Sequence, residues 1–183
     1  MKRIFSKDRV QVFETNQGWV RILNGEGGDG VAVLAMLPDS RSILVQERRY
    51  LGVSDTMQLT WGIPRGGRAP MEAPLDAAVR ELGEETGYVV ARERLTYLGR
   101  LYPDNGVLLS AVHFFFVELT EEEVAQRQAT DGEVERVQAF TDIEIIRMAR
   151  NGELTDMMTY AAFSAVAFRD MEADYLLTNA GNA

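Results

Sequence analysis

Apolar residues in this chain fall into short runs between turn-forming segments, and only a few stretches repeat with helical spacing. Residues 9–14 and 19–23 read as two strands, with Asn16-Gln17-Gly18 as the hairpin turn between them. The Gly-rich segment 24–30 lacks the Lys-Ser/Thr ending of a phosphate-binding P-loop and reads as a connector. Residues 31–37 form a continuous apolar run, as a strand covered on both faces requires. After a turn at Pro38-Asp39-Ser40, residues 42–49 continue as a strand, in which alternation puts Glu47 and Arg49 on one side. A short strand at 58–63 runs into Pro64. Further on, 95–102 reads as a strand, 103–106 as a turn and 107–119 as a long strand. Residues 121–130 are polar, and 131–135 lead into a strand that ends at Phe140.

Helical signals are fewer. Thr141-Asp142-Ile143-Glu144 is a capping box, opening a helix that runs to Arg150 and stops at Asn151-Gly152. Residues 155–171 predict a last helix, with Met157, Met158, Ala161, Ala165 and Phe168 as its packing face, followed by a flexible tail over 177–183. This order of elements predicts an α/β fold, a mixed sheet with helices on both faces, formed by a single domain over 1–183.

The remaining helix carries the chemistry. In GGRAPMEAPLDAAVRELGEETGY (66–88), a glycine-rich turn precedes a helix that Gly87 ends as a left-handed cap. Leu75, Val79 and Leu82 form a face that can be buried. Glu81, Glu84 and Glu85, at i, i+3 and i+4, share another face about 100° wide. Three like charges so close repel one another, and a hard divalent cation removes that cost. Arg80 is the i−4 neighbour of Glu84 and can hold its carboxylate.

Gly66, Glu72, Arg80, Glu81, Leu82, Glu84, Glu85, Gly87 and Tyr88 fill every position of a pattern that resembles the Nudix box. By average residue usage, such a match arises by chance on the order of 10⁻⁹ times per start position. The resemblance implies a Nudix α/β/α sandwich, here with an N-terminal β-hairpin extension. It also implies an Mg²⁺- or Mn²⁺-dependent enzyme that hydrolyses the diphosphate bond of a nucleoside diphosphate linked to another group. On that resemblance Glu81 and Glu85 are metal ligands with Glu84 beside them, the backbone carbonyl of Arg65 joins them, and Arg80 orients the carboxylates. The general base comes from the later loop: Glu133 as base and Glu135 as a metal or orienting group, on one side if the segment is extended.

Within the family, the chain is most similar to the pyrophosphatases of ADP-ribose and nucleoside diphosphate sugars. Pro103, 15 residues beyond Tyr88, stands where that group carries a proline. Arg49 and Tyr50 at a strand end suit a phosphate and a base, and Trp19, Trp61 and Tyr102 are further stacking candidates. The likeness also implies a homodimer in which the N-terminal strands, within 1–28, contact the partner. One departure stands out. The group's Glu-Leu-Pro-Ala-Gly before the box is replaced by Gly62-Ile63-Pro64-Arg65-Gly66, which adds a positive charge near the phosphates and suits another nucleotide sugar. Two other readings stand beside this one: a house-cleaning hydrolase of nucleoside triphosphates or dinucleoside polyphosphates, and a Nudix-fold sensor that binds a nucleotide without cleaving it.

Composition narrows the classes. Hydrophobic residues make up 46% and charged residues 26%, ordinary for a globular protein. The absence of cysteine excludes disulfides, cysteine-ligated zinc and thiol nucleophiles, and counts against the isopentenyl diphosphate isomerases, which resemble Nudix proteins in fold but use a cysteine. A net charge of −9 disfavours general binding to nucleic acid or anionic membranes and leaves a small phosphorylated substrate as the expected partner. The start, MKRIFSKDRVQVF, lacks a signal peptide's apolar core, so a cytoplasmic protein is expected. His113, the only histidine, lies in an apolar run and reads as a sheet-face residue.

Overall fold

A computed structural model describes residues 1–8, 10–25, 28–51 and 55–179, with side chains through Ala173. The first three strands, β1 (Lys2–Lys7), β2 (Val10–Glu14) and β3 (Val20–Asn24), make a separate antiparallel sheet in that order. The main sheet is built from β4 (Gly30–Met36), β5 (Ser42–Tyr50), β6 (Met57–Gly62), β7 (Arg65–Gly67), β8 (Thr96–Leu101), β9 (Val112–Glu118) and β10 (Arg136–Phe140). Its path is β10-β5-β4-β9-β8, with β6 paired to β5 and β7 to β4. The sheet is mixed, because β4 and β9 run parallel while the other pairs are antiparallel.

Four α-helices and a 3₁₀ turn at Arg92–Arg94 complete the described residues, the helices being α1 (Pro74–Thr86), α2 (Glu121–Ala125), α3 (Asp142–Arg150) and α4 (Met157–Asn179). The strand period of two divides the core between the faces. Val31, Val33 and Ala35 of β4, with Phe115 and Val117 of β9, pack against Ala77, Ala78 and Leu82 of α1. Ala32 and Leu34, with Phe114 and Phe116, pack on the opposite side against Ile145 and Met148 of α3 and Ala162 of α4. This is the expected α/β/α sandwich. No helix among the described residues is long and apolar enough to cross a membrane.

Local signals were followed closely at the helix ends. Thr141 and Glu144 form both hydrogen bonds of their capping box. Gly87 (φ 77°) closes α1, its N–H donating to the Gly83 carbonyl.

The structure departs from the sequence expectations in five places. β1 pairs with β2 to extend the hairpin to three strands; its side chains are all exposed, so it carries no amphipathic pattern. The long strand over 107–119 is only Val112–Glu118. The apolar residues before it serve another contact: Ile22 donates to the Val107 carbonyl and accepts from the Leu109 N–H, tying β3 to the main body. The polar stretch after Thr120 contains the short helix α2, opened by a second capping box from Thr120 and Glu123. On α4, Met157 and Phe168 face outward at 53% and 69% exposure, and the packing face runs through Met158, Ala162 and Val166. α4 also continues through 177–179, into the expected tail; the rest of that tail lies outside the described residues, as do Arg9 and the connector residues Glu26 and Gly27.

Candidate active site

The site begins where β7 lies between β4 and α1. The Val33 N–H donates to the Pro64 carbonyl at 2.9 Å, and Val31 pairs with Gly66. Antiparallel alternation therefore turns the N–H and C=O of Arg65, between them, away from β4. That N–H donates to Glu85 Oε2 at 2.9 Å, and the same parity turns the Arg65 carbonyl toward the side of α1. Next in the chain, Gly66 has no side chain because the Glu81 carboxylate lies where a Cβ would stand. Glu81 and Glu85, one helical turn apart, thus close on the Arg65-Gly66 backbone.

Arg80 organises the rest of the box. Its Nη1 donates to Glu81 Oε1 and to Glu84 Oε2, both at 2.8 Å. Its Nε and Nη2 form a fork on Glu72 at 3.0 and 3.1 Å, and Nη2 also donates to the Gly67 carbonyl at 2.9 Å. Glu72 in turn accepts from the Ala69 N–H, which folds the 67–72 loop onto the helix. The Arg80 bonds hold the Glu72 carboxyl below its ordinary range, with help from that N–H.

The three helix carboxylates are not equivalent. Glu84 is the most open, with a side chain 42% exposed. Glu85 is buried, and burial, with the nearby Glu47 and Glu81 charges, pushes its pKa up to about 8 despite the Arg65 N–H. Glu81 is also raised, by burial first, with Glu84 and Glu133 adding to it against Arg80. As placed, no three acidic or histidine side chains among the described residues converge into a ready metal cage. The donor set nonetheless fits a hard divalent cation: two desolvated carboxylates and a backbone carbonyl on one side, with a buried charge that must be offset by a proton or a cation.

The later loop reaches the same region. Gln128 donates to the Gly87 carbonyl, Asp131 to the Glu84 carbonyl, and the Arg127 guanidinium caps the Thr86 carbonyl while lying over the Tyr88 ring. This brings Glu133 within electrostatic range of Glu81. The extended geometry expected for Glu133 and Glu135 is absent, because the backbone bends at Gly132, Val134 and Glu135; the Asp131 carboxylate accepts from the Glu133 N–H. Glu135 instead pairs with Arg48 at 2.6 Å.

Two expected phosphate-facing cations are already engaged. Arg49 grips Glu47 through Nε (3.0 Å) and Nη2, as strand alternation required. The Arg65 guanidinium does not project as a free charge. It is 18% exposed, with Nη1 2.5 Å from Asp156 Oδ2 as an ion contact and Nη2 3.3 Å from Glu47 Oε2. Tyr50 and Trp19 are exposed, Tyr102 lies under Arg100, and Trp61 packs edge-on against Phe140. Pro103 opens a turn closed by Asp104, whose carboxylate accepts from Gly106 and Val107. His113 bridges Tyr97 and Asp29 on the sheet face.

Sequence reasoning missed Glu47, Asp156 and Thr159 as neighbours of this site. Glu47 had a signal in its alternation with Arg49, and Asp156 in its cap spacing to Thr159, but nothing local says that either meets Arg65.

The box and its fold agree with comparison to known proteins. The NUDIX domain family model matches residues 28–159, and the chain belongs to the Nudix hydrolase family, whose members generally depend on divalent metal ions. The chain is also similar to the ADP-ribose pyrophosphatase of Bacillus subtilis (strain 168), at 27% identity over 140 residues, which span 76% of this chain and 72% of that protein.

Proposed function

We propose that this enzyme hydrolyses the diphosphate bond of ADP-ribose or a related nucleotide sugar, releasing a nucleoside monophosphate and a sugar phosphate. The observation that carries this reading is the closure of Glu81 and Glu85 on the Arg65-Gly66 backbone. Glu81, Glu85, Glu84 and the Arg65 carbonyl would hold Mg²⁺ or Mn²⁺, which supplies charge neutralisation and Lewis acidity at the diphosphate. Arg80 keeps Glu81 and Glu84 in place. Glu133, reaching in from the loop, accepts the proton of the attacking water. Glu135, held by Arg48, orients that loop. Arg49, Tyr50 and Pro103 border the substrate; Arg49, although paired with Glu47, keeps a side chain 47% exposed with which to meet a phosphate, where that of Arg65 is 18% exposed. The similarity to an ADP-ribose pyrophosphatase supports the choice of substrate class.

We also infer a homodimer through the N-terminal sheet, where Ile4, Phe5, Trp19 and Val20 are each about half exposed or more.

The test is product release, with Mg²⁺ or Mn²⁺, from ADP-ribose, UDP- and GDP-sugars, dinucleotides and nucleoside triphosphates. Preference for a nucleotide sugar supports the proposal. Preference for triphosphates or dinucleoside polyphosphates replaces it with the house-cleaning reading. Tight binding without turnover of any compound replaces it with a sensor.

A further inference from the structure

The backbone that presents Arg65 to α1 is held from the other face of the sheet. Thr159, in the first turn of α4, is fully buried. Its hydroxyl accepts from the Ile63 N–H at 3.0 Å and donates to Asp156 Oδ2 at 2.6 Å. Asp156 Oδ2 also accepts from the Thr159 N–H at 3.0 Å, as a helix cap does. The same oxygen meets the Arg65 guanidinium, and the Arg65 N–H meets Glu85. A chain of polar contacts thus runs from the start of α4, through Ile63 and Arg65, to a carboxylate on α1. Gly62 belongs to it, because a Cβ there would stand 2.9 Å from both Arg65 Nη1 and Asp156 Oδ2.

We infer that Asp156 and Thr159 are positioning residues that set the Arg65 backbone against Glu85, and that Gly62, Arg65 and Asp156 act as one unit. The cation of Arg65 is spent on this unit rather than on substrate phosphate. Its two carboxylate partners neutralise it, and its length lets a single side chain tie β7 to both α4 and β5. The inference deepens the proposed metal-dependent reading and makes the α4 cap part of the metal site's support.

The experiment compares Thr159→Val, Thr159→Ser, Asp156→Asn and Gly62→Ala with the parent chain, with folding verified by circular dichroism. Amide hydrogen exchange at Arg65 reads the coupling without any metal, and Mn²⁺ binding, followed by electron paramagnetic resonance, reads its consequence. Thr159→Val, Asp156→Asn and Gly62→Ala are expected to speed Arg65 amide exchange and weaken Mn²⁺ binding roughly tenfold, the lower end for loss of an outer-shell support. Thr159→Ser, which keeps the hydroxyl, is expected to restore both. If folded Thr159→Val and Asp156→Asn leave Arg65 exchange at the parent rate, the inference is overturned. A parent protein that binds no Mn²⁺ while the variants still loosen the Arg65 amide would sink the metal reading and leave the coupling standing.

Discussion

The carboxylate of Glu81 occupies the space that a side chain at Gly66 would need. The obstacle is the far end of a flexible side chain, so a methyl group at 66 would displace Glu81 rather than break the backbone. Gly66→Ala is therefore expected to lower kcat by about 100-fold, in the range seen when a metal-site support is removed, while the melting temperature changes little. Steady-state kinetics and a thermal melt on the same sample check this. A variant that unfolds would show that the backbone, not the carboxylate, needs the glycine.

Arg80 meets Glu72, Glu81, Glu84 and the Gly67 carbonyl at once. A lysine keeps the charge but not the planar fork. Arg80→Lys is expected to lose about tenfold in kcat or more. The stability cost should stay near 1 kcal/mol, because the guanidinium is 36% exposed and solvent screens the pairs. Parallel kinetics and denaturant titration separate the two effects.

Without divalent ions, Glu85 sets a pH dependence. Burial lifts its folded pKa to about 8 from an ordinary 4.5, with Glu47 and Glu81 adding to the shift. A carboxyl raised in this way binds its proton more tightly in the folded state. Its contribution to stability is complete below about 4.5 and is lost as pH rises through about 8. The metal-free protein should melt at higher temperature at pH 6 than at pH 8, and Glu85→Gln should flatten that slope. Mg²⁺ should raise the melting temperature most at pH 8, where the carboxylate is free to bind it.

Glu133 and Glu135 should separate cleanly. Glu133→Gln is expected to lower kcat by about 10² or more if it takes the proton of the attacking water. Glu135→Gln weakens an exposed pair with Arg48, at 46% and 57% side-chain exposure, and should change stability by less than about 1 kcal/mol; because Glu135 orients the loop without touching the water, kcat should fall by about tenfold or less. Equal losses in both variants would mean that the loop works as a unit.

The N-terminal sheet gives a last test. Phe5→Asp with Trp19→Asp places charge on its exposed apolar positions. A homodimer formed through this sheet should make the parent protein elute as a dimer and the double variant as a monomer in size-exclusion chromatography with light scattering; a monomeric parent would overturn the inferred dimer.

Much of this protein follows from local chemistry. The alternation of Val31 to Ala35 decides which residues face α1 and which face α4. The Thr141-Glu144 box starts α3, and the left-handed cap at Gly87 ends α1, because caps and pleats depend on residues within one or two turns. The box carboxylates and the grip of Arg80 on Glu84 are equally local, fixed by the pitch of one helix. β1 was not legible because every side chain on it is exposed and it exists only by pairing with β2. The length of β9 was overestimated because apolar residues before it dock on Ile22, which apolarity alone does not distinguish from strand pairing. The fate of Arg65 required the fold. The sequence showed a cation beside the box, but only the meeting of β7, β5 and the start of α4 brings Asp156, about 90 residues away, and Glu47 against it. Local sequence determined which groups are charged and which way a helix or strand turns them; the tertiary structure decided which charges neutralise one another, because that depends on distances the chain closes only when its layers pack.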